Sequence, residues 1–107
     1  MELTKKKCVP CEGGVPKLTP EEIMRYSSYL QQPWEVVDDI KITKEFSFDD
    51  YPGVINFVNS VAKIAENEGH HPVMHVFFSK VKIDIWTHAI MGLSENDFIL
   101  AAKIDEV

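Results

Sequence analysis

Hydrophobic residues change their spacing several times along this chain, and each change marks a new element. Ile23, Tyr26 and Leu30 fall on one stripe at helical spacing, opened by Thr19-Pro20-Glu21-Glu22 and closed before Pro33. Thr19 can cap, Pro20 loses nothing by lacking an N–H at the first helical position, and Glu22 completes a Thr-x-x-Glu capping box. Trp34 to Val37 then reads as a short strand and Asp38-Asp39 as a turn, so the run Ile40 to Phe48 returns antiparallel. In that run Ile40, Ile42, Lys44, Phe46 and Phe48 share one parity, against Lys41, Thr43, Glu45 and Ser47. One face of the sheet is therefore wet, which suits an antiparallel sheet covered on a single side.

From Val54 onward Phe57, Val58, Val61, Ile64 and Ala65 follow one buried helical stripe. Asp49-Asp50 stands where carboxylates cap a helix and favour its dipole, and Gly69 suits the left-handed position at its end. Val73 to Ser79 and Val81 to His88 form a second strand pair, joined at Ser79-Lys80. Val81, Ile83 and Ile85 point one way; Lys82, Asp84, Trp86 and His88 point the other. After Gly92, Ser94-Glu95-Asn96-Asp97 is a second capping box, opening a final helix with Phe98, Ala101 and Ala102 inward. The order α-β-β-α-β-β-α predicts an α+β domain over residues 18–107: a four-stranded antiparallel sheet with its helices packed on one face. Residues 1–17 have no sustained period and contain Lys5-Lys6-Lys7, Gly13-Gly14 and Pro16, so they read as an irregular arm with its lysines in solvent.

With 107 residues and 45% hydrophobic content the chain can build one core without staples. A formal charge of −6 and the lack of a dense basic face argue against direct nucleic-acid or acidic-membrane binding, which rests on Lys and Arg meeting phosphate. Neither the apolar core of a signal peptide nor a run of about 18 apolar residues is present, so a cytoplasmic location and no membrane partner are expected. Both cysteines lie in Cys8-Val9-Pro10-Cys11. A structural zinc knuckle wants two such pairs, and a redox pair wants a helix start where Gly13-Gly14 follows instead, so no catalytic role is expected of them.

The chemistry concentrates between Glu66 and Asp97, where His70, His71 and His88 stand at changes of chain direction. Imidazole, with an ordinary pKa of about 6.5, both gives and takes a proton near neutral pH. Glu66 lies one helical turn before His70. Taken alone, the His-His-Pro turn also serves as a helix cap favoured by the dipole, His88 as a polar strand end, Glu66 as a solvated residue and Asp97 as part of a capping box. Imidazoles and a carboxylate from His70, His71, His88 and Glu66 would also suit zinc or iron. His75, three residues past Pro72, is left outside the set, and Phe78 is assigned to the core.

The run Glu66-x-x-x-His70-His71-Pro72, the aromatic Phe78, His88, and then Gly92-Leu93-Ser94-Glu95 with Asp97 resembles the signature of the pterin-4a-carbinolamine dehydratases. The resemblance extends from Leu18 to the C-terminus, and departs at Phe78, where many members carry Tyr, and at Val73-Met74-His75, where Trp and Phe are common. It implies removal of water from a 4a-hydroxytetrahydropterin to give the quinonoid dihydropterin, in tetrahydropterin recycling after aromatic amino acid hydroxylation. His70, His71 and His88 would be the acid/base catalysts, with Glu66, Pro72 and Asp97 as supporting or substrate-binding residues and no metal or redox cofactor. Two alternatives come with the family: a non-catalytic dimerization cofactor of a homeodomain transcription factor, and a pterin enzyme linked to molybdopterin metabolism. Phe77 and Trp86, opposite the aliphatic row on an uncovered sheet face, lead to the expectation of a homodimer or homotetramer.

Overall fold

Asp38 and Asp39 turn the first hairpin by adopting left-handed backbone, at φ 53° and 56°, the pattern of a type I′ turn closed by Ile40 N–H on the Val37 carbonyl at 2.9 Å. Short polar Asp side chains tolerate that region, whereas Val37 and Ile40 on either side would not. A computed structural model describes residues 2–9 and 16–107; Cys11 and Gly13-Gly14 fall outside the described residues. The hairpin joins β1 (Glu35–Val37) to β2 (Lys41–Ser47), and a second hairpin joins β3 (Val73–Val76) to β4 (Lys80–Ile85). All pairs are antiparallel, in the order β1-β2-β4-β3. With α1 (Pro20–Tyr29), α2 (Tyr51–Glu68) and α3 (Glu95–Asp105), the order is the α-β-β-α-β-β-α read from the sequence, an α+β fold.

The helices cover one face of the sheet. Ile42 of β2 and Val81, Ile83 and Ile85 of β4 are fully buried there, against Val54, Phe57 and Val61 of α2 and Ile23 of α1. Lys44 shares their parity without breaking the core, because its ammonium lies over the Phe46 ring at 4.9 Å and pairs with Asp105 at 2.7 Å. Asp105 also accepts from the Trp34 indole at 3.0 Å, which fixes Trp34 just before β1 rather than within it. On the other face Thr43 donates to Asp84 at 2.6 Å and His75 meets the same carboxylate at 3.0 Å. Burial opposes ionisation of Asp84, but those bonds and the nearby lysines outweigh it and hold the carboxyl below its usual range.

Three further details differ from the pattern read along the chain. Phe77 N–H donates to the Lys80 carbonyl at 2.9 Å, so the second hairpin turns on Phe78-Ser79, one residue earlier than expected. Phe78 consequently stands at the tip, 79% exposed, instead of in the core. The last strand stops at Ile85 because Thr87 bridges Gly92 across a closed loop, and His88 opens a single 3-10 turn, His88–Ile90.

The third difference is the N-terminal arm, which is docked rather than solvated over residues 3–9. Leu3, in the 3-10 turn Leu3–Lys5, is buried in the core; Lys6 pairs with Glu95 at 2.8 Å and Lys7 donates to the Asn67 carbonyl at 3.0 Å. Cys8 N–H donates to Glu68 at 2.9 Å, and the other oxygen of Glu68 takes Lys103 at 2.6 Å. The arm covers the outer side of α3, which explains why every residue from Asn96 to Ala101 is buried and not one stripe alone. Burial opposes the charge on Glu68, yet Lys103 and Cys8 lower its pKa overall; Lys6 lowers that of Glu95, with help from Tyr26.

Both carboxyls are thus held below 4.5, so their support of the arm is complete above that value and is lost as the pH falls through the lowered values. Hydrogen exchange should find the Cys8 amide protected at about pH 6 and exposed towards about pH 3, while β4 amides stay protected. Equal protection of Cys8 at both would show that the carboxylates do not hold the arm.

Candidate active site

The left-handed Gly69, at φ 66°, ends α2 by a donor bond to the carbonyls of Ala65 and Glu66 and turns the chain into His70, mostly buried, and His71, exposed. His88 arrives from the other direction, through the loop after β4. The three imidazoles line one cleft of about 250 Å³ with Gly69, Thr87, Ala89 and Val9. A larger hollow, of about 340 Å³, lies among Glu2, Thr4, Tyr29 and Asp105, and no histidine is among its lining residues.

Within the cleft the histidines are held differently. His70 Nε2 is 2.6 Å from Asp97 Oδ1, and Asp97 is completely buried. Its second oxygen accepts from the Thr87 hydroxyl and from Ser94 N–H, each at 2.9 Å. Thr87 in turn is 2.7 Å from the Ser94 hydroxyl; having given its own proton to Asp97, it accepts from Ser94. A carboxylate offers only acceptors, so with Asp97 as carboxylate the His70 Nε2–H is the donor in that pair. Nδ1 remains as the ring nitrogen that Asp97 does not use.

His71 pairs with Glu66 at 3.2 Å in the open, both side chains being more than half exposed, so the pair is screened and weak. The ring of His88 lies 4.4 Å from that of Trp86, which is half-buried beside it. Of the residues singled out from the sequence, the structure brings His70, His71 and His88 together, sets Asp97 behind His70 and Glu66 beside His71, and leaves Pro72 outside the cleft lining. His75 lies on the far sheet face with Asp84, outside the cleft as expected.

Sequence reasoning missed Thr87, Ala89 and Val9. Thr87 beside His88 carries no local signal, since its task is set by a helix ten residues on. The thiol of Cys8 is pushed up to about 12, by burial first and by Glu68 second, so it stays protonated and is no nucleophile.

The model of the family described as pterin 4 alpha carbinolamine dehydratase matches residues 16–107. This chain belongs to the pterin-4a-carbinolamine dehydratase family. It is similar to proteins bearing the name "Putative pterin-4-alpha-carbinolamine dehydratase" in Alkaliphilus metalliredigens, 45% identical over 97% of this chain and 94% of the relative, and in Nitrosomonas europaea, 48% identical over 97% and 91%. Among solved structures it resembles a transcriptional coactivator/pterin dehydratase from Brucella melitensis, with a TM-score of 0.78 and 30% identity over 84% of this chain and 96% of that one. A pterin dehydratase-like protein identified as a RuBisCO assembly factor in the alpha-carboxysome has the same fold, with a TM-score of 0.62 and 22% identity over 71% and 89%. Among the described residues no helix is long and apolar enough to cross a membrane.

Proposed function

We propose that this chain dehydrates 4a-hydroxytetrahydropterins by histidine acid/base catalysis, in the recycling of a tetrahydropterin. The observation that supports it is the convergence of His70, His71 and His88 on one cleft in a chain of this family. Dehydration breaks the bond between C4a and the hydroxyl oxygen, forms a double bond between C4a and N5, and releases the N5 proton. One imidazole in its cationic form protonates the departing hydroxyl, which leaves as water. Another, neutral, takes the proton from N5. Each positioned group of this kind contributes typically 10² to 10⁴ in rate.

Asp97 supports the reading because it holds the His70 ring in one tautomer and orientation, leaving Nδ1 for the substrate. Glu66, more exposed, can do no more than bias His71. Turnover of a synthetic 4a-carbinolamine by the purified protein alone, followed as quinonoid dihydropterin formation, tests the proposal. Absence of any acceleration over the spontaneous reaction would favour the non-catalytic dimerization role instead.

The site reading goes with a self-associating protein. Val76, Phe77 and Phe78 stand exposed at the outer strand β3 and its turn, a concentration of apolar surface on an unpaired edge that a monomer seldom carries. Light scattering at micromolar concentration should give a dimer or a tetramer. The mass of a lone 12.2 kDa chain would contradict it.

A further inference from the structure

The cleft has a wall that none of the histidine-bearing elements supplies. Val9 lines it and is 67% exposed, although the match to the family begins only at residue 16. One amide fixes it there: Asn96 Oδ1 accepts from Val9 N–H at 3.0 Å, and Asn96 Nδ2 donates to the Val9 carbonyl at 2.6 Å. Asn96 is itself buried, in the first turn of α3 beside the Asp97 that holds His70. Preceding Val9, Cys8 is anchored through Glu68. Both polar backbone groups of Val9 are thus satisfied away from the cleft, and its apolar side chain is set at a fixed place among polar neighbours. Among the described residues that line the cleft, only Val9 and Ala89 carry apolar side chains.

We propose that Val9 is a specificity-determining residue of this site, and Asn96 the positioning residue that holds it: together they limit the bulk of the substituent a tetrahydropterin carries next to its reacting nitrogen. This rests on the dehydratase reading. The reacting atoms are C4a and N5, and the substituent sits on C6, which is bonded directly to N5. Histidines that reach C4a and N5 therefore share their cleft with the substituent, and an apolar wall in a space of about 250 Å³ meets it. Adding or removing a few carbon atoms at such a contact changes discrimination by roughly one to two orders of magnitude.

The test compares carbinolamines made from 6-methyltetrahydropterin and from a tetrahydropterin with a three-carbon dihydroxypropyl side chain. Val9→Trp fills the space without disturbing the core, since Val9 is exposed. It is expected to raise KM for the larger substrate about tenfold or more and for the methyl compound less than about twofold, with kcat kept for both. Asn96→Ala, which frees the wall, should shrink the preference between the two substrates, as should Val9→Ala. Equal changes in KM for both substrates in Val9→Trp would overturn the proposal. If the wild type turns over neither carbinolamine, the dehydratase reading falls separately, and binding of the two corresponding 7,8-dihydropterins, read by tryptophan fluorescence, decides the wall. Selective weakening of the larger one in Val9→Trp sustains it; equal changes in affinity for both, or no change for either, overturn it.

Discussion

Asp97→Asn is expected to yield a folded protein that has lost about 10² to 10⁴ of its turnover, with the loss in kcat rather than KM. The reason lies in the direction of the hydrogen bonds. Asp97 receives protons from His70, Thr87 and Ser94 and gives none. An amide of the same shape must turn its NH₂ group towards one oxygen's former partners. Turned to His70, it forces Nε2 to accept and puts the proton on Nδ1, the wrong tautomer for a base at that nitrogen. Turned to Thr87 and Ser94, it sets donor against donor in a buried place, and the Ser94 cap of α3 is lost as well.

Removal of the whole group in Asp97→Ala leaves three buried or half-buried donors without their acceptor. We expect a loss of about 3–5 kcal/mol in unfolding free energy by denaturant titration, in the range found when one partner of a buried polar pair is deleted. Asp97→Asn with wild-type kcat would mean that the orientation of His70 plays no part in the chemistry.

The second large effect concerns the histidines as a group. Single replacements His70→Ala, His71→Ala and His88→Ala should each lower turnover by roughly 10 to 10⁴. A pair should cost more than either member but less than the product of the two, because groups that serve one transition state are not additive. His71→Ala and His88→Ala should unfold with the wild-type midpoint, since both side chains are exposed. His75→Ala should leave turnover unchanged; its ring lies on the opposite sheet face against Asp84. A loss there equal to that at His70 would move the site to the other face.

What could be read along the chain was what local rules control. The Thr19 and Asp50 caps, the left-handed Gly69 and the alternation in β2 are decided within a few residues of sequence, and they place the elements and the His70-His71 turn correctly. The second hairpin was misplaced by one residue because Phe77-Phe78 looks like strand, and no Gly or Asn marks the turn. Contacts across long separations had no such signal. Asn96 holds Val9 from 87 positions away, and Asp97 reaches His70 across 27. Asp97 and Ser94 were explained well enough as a capping box, so nothing local announced that the same carboxylate also holds an imidazole. Burial of α3 on nearly every side was hidden for the same reason: the arm that covers it has no periodicity of its own.

The triple replacement of His70, His71 and His88 by Ala, assayed for turnover of a 4a-carbinolamine beside the wild type, bears most directly on the central claim. With a folded circular dichroism spectrum, it is expected to form quinonoid dihydropterin at close to the spontaneous rate while the wild type accelerates the reaction. Wild-type turnover in the folded triple variant would contradict the account, and would return the His70-His71 turn to the helix-ending role that its place after Gly69 already explains.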